Sequence, residues 1–152
     1  IDHDTIQDCK YLDAVVYETL RLYSNVRTER EAKEDYKLGD TGITVPAGTI
    51  VVFPSFSIHR DSQHFENPDS FIPERFENGI NNGPHHPNAY HPFGGGPRLC
   101  VGMRFAMAEM KLCLARMIKK YKFKLAPETK IEMVVGPPLC SPKEMKLIVE
   151  RR

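Results

Sequence analysis

The sequence predicts a mainly helical fold with small β-sheets, an α+β arrangement, from three observations. Two stretches show helical periodicity, short β-like pieces are broken by Gly and Pro, and a long segment has no period at all. From Asp4 to Tyr23 the apolar residues Ile6, Leu12, Val15, Val16, Leu20 and Leu22 alternate with polar ones at helical spacing, with Asp4 or Thr5 available as a cap. That spacing predicts a helix with one buried face. Thr28 to Val52 contains β-like pieces around Tyr36, Ile43 to Val45 and Thr49 to Phe53, punctuated by Gly39, Gly42 and Pro46-Ala47-Gly48, which predict a small hairpin sheet.

Between Ser55 and Pro92 the composition shifts to Pro, Asn, Gly, His and Asp, with aromatic residues at Phe65, Phe71, Phe76 and Tyr90. Loops longer than about 12–15 residues are either functional or disordered, and the spaced aromatics favour a packed meander here. Gly102 to Tyr121 returns to helical character, with Phe105, Ala108, Leu112, Ala115, Met117 and Ile118 set among charged residues. Tyr121 to Leu125 and Met145 to Val149 alternate, with Gly136-Pro137-Pro138 between them, and predict terminal strands or a hairpin.

A chain of 152 residues suits one compact domain or part of a larger one, and its formal net charge of +1 gives no bulk attraction to nucleic acid or anionic lipid. The four cysteines, Cys9, Cys100, Cys113 and Cys140, form neither a CxxC pair nor a dense framework, which fits a reducing, cytosol-facing environment. The chain opens on Ile in mid-pattern, without a signal peptide or an apolar run of the roughly 20 residues that span a bilayer. It is expected to continue a polypeptide whose N-terminal portion precedes Ile1.

The most informative stretch is Pro92-Phe93-Gly94-Gly95-Gly96-Pro97-Arg98-Leu99-Cys100-Val101-Gly102, a tight loop running into the second long helix. Consecutive glycines allow backbone conformations closed to other residues and let the main chain approach something large and flat. The helix start beyond them favours an anion, and so favours a cysteine held as thiolate. One thiolate without neighbouring cysteines does not complete a zinc or iron–sulfur site, which takes about four protein ligands, whereas a haem iron takes its equatorial nitrogens from the porphyrin. A phosphate loop would end in Lys followed by Ser or Thr, and Arg98-Leu99-Cys100 stands there instead. For three glycines alone the default is a flexible turn with an inert cysteine.

Phe93, Gly96, Arg98, Cys100 and Gly102 stand in the spacing Phe-x-x-Gly-x-Arg-x-Cys-x-Gly, continued by Ala106 and Glu109. This resembles the haem signature of cytochromes P450. The resemblance implies that Cys100 is the axial thiolate of haem b, iron protoporphyrin IX. It makes Arg98 a propionate partner and Phe93 the aromatic beside the sulfur, with Gly94, Gly96 and Gly102 shaping the loop. Glu18-Thr19-Leu20-Arg21 sets a carboxylate and a guanidinium three residues apart, which by itself reads as a solvated surface pair. Cytochromes P450 pair such a Glu-x-x-Arg helix with a Pro-x-Arg-Phe element, here Pro73-Glu74-Arg75-Phe76, so the resemblance implies an internal triad of Glu18, Arg21 and Arg75.

The likeness extends over the whole chain, residues 1–152, as the C-terminal portion of a single cytochrome P450 domain. That portion runs from the Glu-x-x-Arg helix through the haem-ligand loop and the following helix to the terminal hairpin. It is similar to the animal microsomal, drug-metabolising and thromboxane-synthase-like group, a placement supported by His59-Arg60-Asp61 and by Gly102 to Ala106. Arg30 lies where a further propionate-binding arginine is expected. Val26, Arg27, Pro138 and Leu139 fall in segments that line the substrate pocket in the family, or read simply as connecting turns. Ser24 departs from the Pro common after the Leu-Arg-Leu-aromatic run. Arg104, Lys111, Arg116, Lys119 and Lys120 read either as a docking face for an acidic electron donor or as a solvated helix face. His85, His86 and His91 lack metal-ligand spacing and read as loop residues.

The resemblance implies a monooxygenase that inserts one oxygen atom of O2 into an apolar organic substrate. Its electrons would come from NADPH through NADPH–cytochrome P450 reductase, with cytochrome b5 as a second donor. It would sit on the cytosolic face of the endoplasmic reticulum membrane, held by an N-terminal anchor. The alternatives are a haem-thiolate isomerase of a peroxide, as in thromboxane synthase, and a non-catalytic haem-binding fragment. The fragment alone is not expected to turn over, and no nucleic-acid partner is expected.

Overall fold

In the computed structural model, the residues described are 2–24, 27–83, 85–136 and 139–152. The first helical stretch is two helices. Helix α1 (His3–Gln7) is capped by Asp2, whose carboxylate accepts from the Thr5 N–H at 2.9 Å, so the cap lies upstream of the expected Asp4 or Thr5. Cys9, at φ −80° and ψ 75°, breaks the helical path before α2 (Lys10–Leu22). The buried stripe of α2 runs through Ala14, Glu18 and Arg21, so the face that packs inward carries charge as well as apolar surface.

The small sheets are nested hairpins. Strand β1 (Thr28–Glu31) pairs antiparallel with β4 (Ile50–Phe53), setting Arg30 opposite Val51, and β2 (Tyr36–Lys37) pairs with β3 (Thr44–Val45) between them. The tight turn before β4 uses Gly48 at φ +79°, a conformation open mainly to glycine. Strand β1 is Thr-Glu-Arg-Glu, a sequence with no apolar alternation, and it becomes a strand through its pairing with β4.

The meander beyond Phe53 is packed, as the spaced aromatics predict. It contains the single-turn helix α3 (Ser55–Ile58) and 3-10 turns at Pro73–Phe76 and Pro87–Ala89. Phe65, Phe76, Ala89 and Tyr90 bury themselves against Ala14 of α2, with Tyr17, Ile58 and Ile80 around them. Phe76 and Tyr90 are 4.8 Å apart by ring centroids, and the Tyr90 hydroxyl donates to the Tyr17 carbonyl at 2.9 Å. Phe71 stays 47% exposed, so it is not one of the core aromatics.

Helix α4 (Met103–Lys120) follows the glycine loop and runs straight into β5 (Tyr121–Leu125). Strand β5 pairs with β8 (Leu147–Arg151), and β6 (Met133–Gly136) pairs with β7 (Leu139–Pro142), giving the expected terminal strands as two separate ladders. The whole is a mixture of helices and small antiparallel sheets.

Candidate haem-loop site

The loop from His91 to Gly102 is closed by its own backbone. The Gly94 N–H donates to the His91 carbonyl at 3.0 Å, Leu99 N–H to the Gly96 carbonyl at 3.1 Å, and Cys100 N–H to the Phe93 carbonyl at 3.0 Å. Gly94 and Gly96 sit at φ +78° and +62°, where a side chain is strained, which explains the need for glycine at those two places. A Cβ on Gly95 or Gly96 would meet nothing within 4 Å, so the main chain here faces open space.

Residues His91 to Leu99 of the loop, the start of α4, and Thr28, Arg30 and Phe53 of the small sheet wall a cavity of about 1050 Å³. Ligand pockets commonly fall within about 300–1,000 Å³, so the space is generous for a cofactor. Phe93, Gly94, Gly96, Arg98 and Arg30 all lie on this wall. The salt bridges of the described residues engage neither Arg98 nor Arg30, and Arg30 Nη1 donates to its neighbour's carbonyl, Glu29 O, at 2.7 Å.

Cys100 is not itself part of the cavity wall; its thiol is exposed, directly beyond the wall-forming residues, and its carbonyl accepts from the Met103 N–H at the start of α4. Among the described residues no three His, Cys, Asp or Glu side chains converge on a point that would hold a metal ion. Cys100 therefore offers a single accessible sulfur donor. A single sulfur, two arginines free of carboxylates, and an open glycine backbone on one loop-and-sheet wall fit a flat, anionic macrocycle that brings its own equatorial ligands. Gly102, the last residue before α4, lies beside the sulfur: a Cβ there would stand 4.0 Å from Cys100 Sγ.

Glu18, Arg21 and Arg75 come together in the interior. Arg21 Nε and Nη2 donate to the two Glu18 carboxylate oxygens, both at 2.8 Å, with Arg21 and Glu18 fully buried. Arg21 spends its other N–H groups on three meander carbonyls: His59 at 2.6 Å, Pro68 at 2.7 Å and Ser70 at 3.1 Å. Glu18 also accepts from the Ile72 N–H at 2.9 Å. Arg75 approaches less closely: its Nε is 3.5 Å from Glu18 Oε1, an electrostatic contact without a hydrogen bond, while its Nη2 donates to the Asn67 carbonyl at 2.9 Å. Asn67 holds φ +46°, a conformation that Asn tolerates better than most residues.

Three further residues complete the picture, two of them without a role in the sequence reading and one, Lys111, with a different role there. His59, fully buried, joins α2 to the loop, and burial drives its pKa down to about 3, with the neighbouring His91 adding to the effect. Asp13 of α2 pairs with Lys111 of α4 at 2.7 Å. Lys111 is 6% exposed and therefore does not belong to a basic docking face: its charge points inward to Asp13. Arg104, Arg116, Lys119 and Lys120 of that face remain exposed. His59 stood out in the sequence only within His59-Arg60-Asp61, which supported the family placement and marked no role for it, and nothing local marks the Asp13–Lys111 pair.

Of the substrate-pocket candidates, Arg27 is exposed, pairs with Glu29 and does not line the cavity. Leu139 opens strand β7, and Val26 and Pro138 lie outside the described residues. His85 is buried and stacked on Phe65 with ring centroids 5.1 Å apart, and His86 accepts from the Asn88 N–H.

A sequence model of the cytochrome P450 family matches residues 1–149. The chain belongs to the cytochrome P450 family. It is 47% identical to cytochrome P450 3A6 of Oryctolagus cuniculus over 88% of its length and 26% of that relative. It is 44% identical to cytochrome P450 3A1 of Rattus norvegicus over 86% of its length and 26% of that protein. With cytochrome P450 3A7 of Homo sapiens the identity is 40%, across 99% of the chain and 30% of the relative. The chain thus spans about a quarter of the length of the first two relatives. As a cytochrome P450 it implies haem as cofactor, in keeping with the single sulfur donor on the glycine loop. No helix among the described residues is long and apolar enough to cross a membrane.

Proposed function

We propose that the protein containing this chain is a haem-thiolate monooxygenase that inserts one atom of O2 into an apolar organic substrate. The observation that carries this reading is the Phe93–Gly102 loop: it closes through Cys100 N–H and Phe93 C=O and presents one accessible thiol at the foot of α4. Cys100 would supply the sulfur that holds haem b, Arg98 and Arg30 would meet its propionates, and Gly94 and Gly96 would let the backbone lie close to the macrocycle. Bound there, haem supplies dioxygen binding and oxygen–oxygen cleavage, which thiolate ligation favours.

The chain's own residues do the holding. The glycine loop keeps its shape through main-chain hydrogen bonds, and at Gly95 and Gly96, where an added Cβ would meet nothing within 4 Å, its backbone is open to a cofactor. The Glu18, Arg21 and Arg75 triad braces the meander that leads into the loop, since Arg21 alone joins α2 to three meander carbonyls.

Electrons come from NADPH through NADPH–cytochrome P450 reductase, with cytochrome b5 as a second donor, on the cytosolic face of the endoplasmic reticulum membrane. Similarity to several 3A cytochromes supports this placement. The test is turnover of the complete gene product with reductase, NADPH and isotopically labelled dioxygen against a panel of apolar compounds. One labelled oxygen atom per product molecule, strictly dependent on NADPH, is expected. Rearrangement of an organic peroxide without NADPH, and no labelled product, would overturn the reading in favour of an isomerase.

A further inference from the structure

We propose that His59 is a positioning residue: it ties the Glu18–Arg21 helix to the start of the Cys100 loop, and the haem–sulfur bond depends on the hydrogen bond that its Nε2 accepts. The inference rests on the haem-thiolate reading above. His59 grips α2 twice, accepting from Arg21 Nη1 at its carbonyl (2.6 Å) and placing Nδ1 3.2 Å from the Arg21 carbonyl oxygen. Its Nε2 lies 3.1 Å from the backbone nitrogen of His91.

These partners fix the ring's protonation without ambiguity. A carbonyl can only accept, so Nδ1 carries the hydrogen; a peptide N–H can only donate, so Nε2 is bare. Both demands select the same neutral tautomer. Ser24 Oγ, 3.1 Å from Nδ1, is compatible with it. The ring cannot swing away, because it stacks on Tyr90 at 5.4 Å and 25° and meets the edges of Phe65 and His91 at 6.4 Å and 5.1 Å.

His91 begins the loop. Its peptide N–H is held by His59 and its carbonyl accepts from Gly94; one residue before Gly94, the Phe93 carbonyl accepts from Cys100. The path from the buried Arg21 to the sulfur-bearing residue therefore runs through one imidazole and the loop's own main-chain hydrogen bonds. Loss of the Nε2 acceptor leaves the part-buried His91 N–H without a partner and frees the loop at its root.

The two amide side chains separate this role from simple packing. Gln places an acceptor oxygen where Nε2 stands, whereas Asn reaches only the Nδ1 position. H59Q and H59N are made in the complete gene product, and haem per protein is measured together with the fraction of reduced, carbon monoxide-bound protein in the thiolate form. H59Q is expected to keep the wild-type thiolate fraction, and H59N to lose it several-fold. Equal behaviour of the two variants, whether both are normal, both lose the thiolate form or both fail to fold, overturns the proposal, because packing alone does not distinguish the acceptor position. If the wild-type protein itself shows no thiolate form, it is the haem-thiolate reading that falls, and the His59 proposal with it.

Discussion

Arg21 uses each of its five N–H directions inside the protein, two on Glu18 and three on meander carbonyls. A lysine offers three donors from one point and cannot reproduce that fork. R21K is therefore expected to strand the Glu18 carboxylate and several carbonyls, at a cost of about 3–5 kcal/mol for the broken buried pair. The complete gene product carrying R21K should incorporate little haem, measured as haem per protein; wild-type loading would contradict the account. The spacing of Glu18 and Arg21 was legible because residues three apart share a helix face, and Cys100 because its loop follows a family pattern. The inward direction of Lys111 was not, since its neighbours Arg104, Arg116, Lys119 and Lys120 are exposed basic residues and its partner Asp13 sits on a different helix.

At the scale of elements, α2 is the beam on which the site is assembled. It carries Glu18 and Arg21 on its buried stripe, with Arg75 reaching them from the Pro73–Phe76 turn, and binds α4, the helix that follows Cys100, through Asp13 and Lys111. Replacing Lys111 by Met keeps most of the side-chain volume and leaves the Asp13 carboxylate unpaired. Because Asp13 retains 25% of its side-chain exposure, the loss should fall at or below the low end of the about 3–5 kcal/mol typical of a broken buried pair. The denaturant midpoint of the K111M holoprotein should drop and recover in part when Asp13→Asn is added; an unchanged midpoint would remove the pair from the account. Helical periods announced α2 and α4, and alternation announced β5. Strand β1 was missed because Thr-Glu-Arg-Glu has no buried face to write into the sequence, and the break at Cys9 because the apolar spacing runs on across it.

Across the whole molecule, the buried histidines give stability a direction with pH. His59 holds a pKa of about 3 in the fold against an ordinary value of 6.5, and burial lowers those of His85 and His91 as well. Below 6.5 the unfolded chain takes protons that the folded chain refuses, so stability is complete above that pH and falls as pH drops toward 3. His59 alone contributes a slope of up to about 1.4 kcal/mol per pH unit in that window. Denaturant midpoints should fall between about pH 7 and pH 5 in the wild type and fall less in H59Q; equal slopes would remove His59 as the source. The mixed α+β architecture followed from the periodicities of the chain, whereas the convergence of α2, the meander and the loop on His59 depends on contacts between distant segments that no local pattern encodes. The most direct measurement for the whole account is the spectrum of the reduced, carbon monoxide-bound complete gene product beside its Cys100→Ser variant. The wild type should show the red-shifted band of sulfur ligation and the variant should lose it. An identical band in both would show that Cys100 does not hold the iron.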